Sequence, residues 1–131
     1  MGITQQIAEK IDQISAAISV AYVYTEQCSA ILKVLHELRK KILLVDESNS
    51  GQLNDLLTHL DTLYTIIDGF NSTKWSQNCL EIAAIKPVSD LNDEMNSISE
   101  IIKQLGITLD NEYEVIIQNI ATDFKSLYGI F

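Results

Sequence analysis

Two histidines, two cysteines and eighteen carboxylates are the groups with which this 131-residue chain could do chemistry. Their spacing decides whether they are set up for it. A carboxylate-bridged di-iron bundle needs Glu together with Glu-x-x-His on inward helix faces. Three residues before His36 and His59, however, stand Lys33 and Leu56. A Cys–His nucleophile would require Cys28 or Cys79 beside an imidazole, in surroundings that stabilise the thiolate. Nothing near either cysteine in the sequence supplies such surroundings. The phosphate-binding loop, dinucleotide-binding, zinc-protease, nucleophile-elbow and EF-hand patterns are all missing from the chain. The expectation is a non-enzyme with no catalytic residue, no metal ligand and no cofactor. The cysteines lie fifty-one positions apart, outside any CxxC. They are expected to be structural thiols in a reducing compartment.

Surfaces are then the place to look. One basic cluster stands out, "KVLHELRKK", with Lys33, His36, Arg39, Lys40 and Lys41. Cations are favoured at a helix C-terminus, which by itself accounts for Arg39, Lys40 and Lys41. The alternative is a small site for anionic lipid headgroups on Lys33, Arg39, Lys40 and Lys41. A second surface is the stripe Ile3, Ile7, Ile11, Ile14 and Ile18, on a segment whose charges are only Glu9, Lys10 and Asp12. Core packing explains the stripe; a weakly charged amphipathic helix could also leave a bundle and enter a bilayer.

Charge and composition narrow the partners. The net charge is −9, divided as +1 over residues 1–45 and −10 over residues 46–131. That surface repels phosphodiester backbones, and no basic stripe with interleaved aromatics is present, so nucleic acid is not an expected partner. Apolar residues make up 47% and charged residues 21%, the balance of one globular domain. No apolar run reaches the roughly 18 residues of a spanning helix, and the N-terminus lacks the form of a secretory signal. The reading is a soluble, cytoplasmic chain.

The elements that must carry these residues are helices. Five segments repeat apolar residues at the helical period, at about 3–19, 25–45, 52–70, 90–105 and 111–128. The cluster "DESNSG" at 46–51 favours a turn. Ser89 is expected to cap the fourth helix, with Pro87 just before its start. Gly106 followed by Ile107 fits a Schellman ending, and Gly129 closes the fifth helix. Between the first two segments "SVAYVYTE" has no breaker. A single helix over 3–45 would be about 64 Å long, so a turn is expected near Val20–Tyr24. The architecture predicted is an all-α up-and-down four-helix bundle over residues 1–107, with a fifth helix over 108–131 packing on or extending it.

The stretch "KWSQNCLEIAAIKPVSDLNDEMNSISEIIKQLGITL", Lys74 to Leu109, resembles the end of a particular bundle. This is the N-terminal four-helix domain of the mixed-lineage-kinase-domain-like pseudokinases and related HeLo-like cell-death domains. The similarity runs through Trp75, Leu80, Ile85, Val88, Leu91, Asn92, Met95, Ile98, Ile102, Leu105 and Leu109. "EQCSAILKVLHELRKKI" is similar to that family's second helix, and Asp110 to Tyr128 stands where it carries its regulatory brace. The resemblance implies a short crossover over Lys74 to Pro87 with Trp75 as its plug. It also implies brace contacts from Tyr113, Ile116, Ile117, Ile120, Phe124 and Leu127. The function implied is self-association on activation, binding of anionic lipid at the plasma membrane and membrane breach in necroptosis-like cell death. A kinase or pseudokinase domain is the implied further partner. The alternative is an interaction module that docks a kinase, or itself, without membrane activity.

Overall fold

The computed structural model describes residues 2–20, 25–69 and 81–117, with backbone alone for residues 25 and 81–89. Its elements are α1 (Ile3–Ser19), α2 (Thr25–Ile42), α3 (Ser50–Gly69) and α4 (Glu81–Gln104). A fifth helix, α5, runs over residues 111–117 of the described chain. The protein is thus an all-helical bundle with a C-terminal helix.

α1 and α2 are separate helices packed side by side, not one rod. The residues joining them, including Tyr22 and Tyr24, lie outside the described ones. Two polar links show the direction of the chain. Glu47, in the α2–α3 turn, meets Thr4 at the start of α1. Lys41, near the end of α2, donates to the Thr108 carbonyl just beyond α4. The start of α1, the end of α2, the start of α3 and the end of α4 therefore share one end of the bundle, which is the up-and-down order the sequence predicts.

The stripes read from the sequence face the core. Ile7, Ile11 and Ile14 of α1 are 0% exposed, and so are Ile31, Leu35, Leu38 and Ile42 of α2. α3 contributes Leu53, Leu56, Leu60, Leu63 and Ile67, and α4 Leu91, Met95, Ile98, Ile101 and Ile102. Leu32, Val45, Leu57, Tyr64 and Leu105 pack half-buried at its margin, while Ala8, Ala17 and Val34 join the interior beyond the apolar spacing itself. Complete burial of an Ile is worth about 1.5–3 kcal/mol. This interior, rather than helix propensity, holds the bundle together.

Turn chemistry behaves as expected at two places. In "DESNSG", the Asp46 carboxylate accepts from the Ser48 N–H at 2.9 Å, and the Asn49 carbonyl opens α3 by accepting from Leu53 N–H at 3.0 Å. At the end of α4, Ile107 N–H donates to the Ile102 carbonyl and Gly106 N–H to the Lys103 carbonyl, with Gly106 at φ +75°. That pair of bonds is the Schellman ending, and Ile107 packs half-buried against the core.

The start of α4 is a correction. It begins at Glu81, nine residues before Asp90, so Ser89 is interior to the helix rather than its N-cap position, and Pro87 is the seventh helical residue. Residues 81–87 belong to this long helix rather than to a crossover. Pro87 has no N–H to give the Ala83 carbonyl, a loss of about 3 kcal/mol in a helix interior. Ala83 and Ala84 are the strongest helix formers, and the turns on either side of Pro87 carry the helix across that gap. Trp75, proposed as the plug, and Lys74 to Leu80 lie outside the described residues.

Candidate functional site

The basic cluster on α2 is built by the helix period: Arg39, Lys40 and Lys41 occupy its last turn, where the helix dipole favours cations. The structure adds partners from elsewhere. Arg39 grips Asp12 of α1 through both arms, Nε to Oδ1 at 2.8 Å and Nη2 to Oδ2 at 3.0 Å. This hydrogen bond holds the Asp12 carboxyl below its usual range. Lys40 and Lys41 each stand 3.8 Å from a Glu37 oxygen, and Lys41 also reaches the Thr108 carbonyl. Lys33 is exposed, as is His36. Four cations therefore share the patch with two carboxylates. At about 1 kcal/mol per basic residue near an anionic surface, the net +2 is worth about 2 kcal/mol rather than about 4.

The other candidate surface is turned inward. Ile7, Ile11, Ile14 and Ile18 of α1 are buried, and Ile3 packs against the core's edge. Polar links fasten the same helix at three levels. Glu47 accepts from the Thr4 N–H at 3.3 Å and from Thr4 Oγ1 at 3.1 Å. Lys10 Nζ lies 2.8 Å from Asp61 of α3 and 5.1 Å from the centre of the Tyr64 ring. Asp12 holds Arg39 of α2. None of these three long-range links is visible in the sequence pattern, which reports each helix only against itself.

α5 supplies the third candidate. Among the described helices α1 packs broadly on α2 and α3, and α3 on α4. α2 and α4 flank the remaining side, and α5 lies there. Ile117 is buried, while Tyr113 and Ile116 pack half-buried against the core. The Tyr113 phenol is held above its ordinary value by lost hydration first and next by the Glu37 charge. On the other flank a groove of about 230 Å³ separates α5 from α4, lined by Ser99, Glu100, Lys103, Glu114 and Ile117 among others. Three of the six expected brace residues, Tyr113, Ile116 and Ile117, thus sit on the seam. Ile120, Phe124 and Leu127 lie outside the described residues.

Among the described residues, the groups considered for catalysis are not brought together into a reactive set. Burial pushes the Cys28 thiol up to about 11, the opposite of what a nucleophile needs. His59 Nδ1 lies 2.8 Å from Glu94, tying α3 to α4. No cluster of three or more His, Cys, Asp or Glu suited to a metal occurs among the described residues, and no described helix is long and apolar enough to cross a membrane. Cys79 lies outside the described residues. Compared with protein-family models, with curated proteins and with solved structures, the chain shows no match.

Proposed function

We propose that this chain is a non-enzymatic helical-bundle effector of the cell-death type, in its closed form. On activation it would self-associate and move from the cytoplasm to anionic lipid at the plasma membrane, which it would breach. A kinase or pseudokinase domain, in cis or in trans, would be the upstream partner. The observation that carries this reading is the seat of α5. Its apolar residues Tyr113, Ile116 and Ile117 pack on the core beside α4, so its departure would bare core side chains without breaking the α1–α3 packing. The Lys41 link to Thr108 joins that seat to the basic cluster.

The test is sedimentation and dye release with anionic and neutral vesicles. It compares the chain, a form ending at Ile107, and the full chain carrying Ile117→Asp. Binding and leakage of anionic vesicles alone, raised in both altered forms, is the expected result. A second reading is favoured by the pairing of Arg39, Lys40 and Lys41 with carboxylates in a chain of net charge −9. In it the same bundle docks a basic partner or a second copy without touching lipid. Failure of all three forms to bind vesicles at low salt, where electrostatic attraction is strongest, decides for that reading.

A further inference from the structure

The first turn of α1 lacks what a helix start usually has. Its N-cap residue is Gly2, which offers no side-chain acceptor, and no acidic residue stands in the first turn. The unpaired N–H groups and the positive end of the helix dipole would face water alone. Glu47 fills that role from another element. Its carboxylate accepts from the Thr4 N–H and hydroxyl, and it is carried by a turn held by the Asp46–Ser48 bond and the Asn49 start of α3.

Gly2 makes the approach possible. A Cβ on Gly2 would collide with Glu47 Oε1 and stand 2.9 Å from Glu47 Cδ. The backbone there is extended, φ −71° and ψ 160°, so other residues could adopt it. Glycine is needed for space, not for conformation. The carboxylate is the movable end of the contact, so a larger residue would displace it rather than unfold the helix.

We infer that the α2–α3 turn is a clasp on the N-terminus of α1, with Gly2 and Glu47 as its two halves, and that it governs whether the first turns of α1 open. Opening from this end would free Thr4 and then Ile3 and Ile7 while the Asp61 and Arg39 links still held Lys10 and Asp12. The clasp thus divides α1 into a releasable beginning and a retained remainder. It needs no membrane to act, so its test is independent of the function proposed above.

Hydrogen exchange of the α1 amides reads the clasp directly. Glu47→Ala in the full chain is expected to speed exchange in residues 4–8 roughly 3- to 10-fold, the usual effect of losing an N-cap, with α3 and α4 unchanged. Gly2→Ala should do the same by displacing Glu47. In a Glu47→Ala background Gly2→Ala should add little beyond the modest loss from Ala as an N-cap, because the group it strikes is gone. Unchanged exchange in Glu47→Ala would overturn the clasp. So would an equal Gly2→Ala effect with and without Glu47, or acceleration spread evenly over all helices.

Discussion

At Arg39 a helix dipole and a distant carboxylate act on one cation. Being near a helix C-terminus explains why a cation is tolerated there, but Asp12, twenty-seven positions away, decides where it points. Both side chains are more than a third exposed, so solvent screening keeps the pair below ~1 kcal/mol. Because Asp12 is depressed in the folded state, that stability is present above the ordinary carboxylate range and is lost as pH falls through the lowered value. Urea unfolding should therefore show Asp12→Asn slightly less stable than the parent at pH 7, with the gap closing in strong acid. Gly106 is a second residue-scale case. Among the described residues, no atom beyond its chain neighbours lies within 4 Å of the place its Cβ would take, and its φ is +75°. The whole cost of Gly106→Ala is thus backbone strain, about 1 kcal/mol, and Gly106→Asn should lose less in thermal unfolding. Cys28, buried and raised to about 11, should resist alkylation at pH 8 until the chain unfolds, as peptide mapping would show.

Magnitudes separate what binds α1 from what orients it. Three fully buried isoleucines, Ile7, Ile11 and Ile14, outweigh the helix's polar links at about 1.5–3 kcal/mol each. Ile11→Ala should accordingly cost about 2–5 kcal/mol in denaturant unfolding. Leu44→Ala, at a side chain 86% exposed, should fall within about 0.5 kcal/mol of the parent. The links to Glu47, Asp61 and Arg39 set rotation and register instead. α4 offers the opposite contrast. With Pro87 interior to the helix, Pro87→Ala should raise the melting temperature by restoring a hydrogen bond to the Ala83 carbonyl. A lowered melting temperature would instead mean that the proline serves as a helix start, as the sequence spacing suggests.

For the whole molecule, the acidic excess beyond residue 45 is the dominant long-range feature. Self-repulsion of like charges opposes close approach of copies and of anionic lipid alike. Added salt should therefore act in opposite directions on contacts between copies and on contacts with a basic partner. Self-association would strengthen as repulsion is screened, whereas capture of a basic partner would weaken. Analytical ultracentrifugation at low and moderate salt distinguishes them.

Helix class, the inward stripes, the Asp46 turn and the Gly106 ending are all legible in the sequence. Each depends on residues within a few positions of one another, and a helix reports its buried face through its own 3.6-residue period. The start of α4 departs from the sequence expectation because a proline is a strong local signal, yet the helix on both sides continues through it. The partners of Thr4, Lys10, Arg39 and Lys41 lie twenty-seven to sixty-seven positions away. No spacing rule links such residues, because which side chains meet depends on how each helix is rotated and shifted against its neighbour. Only the packing of the whole core decides that, and with it the partly neutralised basic cluster, the seat of α5 and the clasp at Gly2.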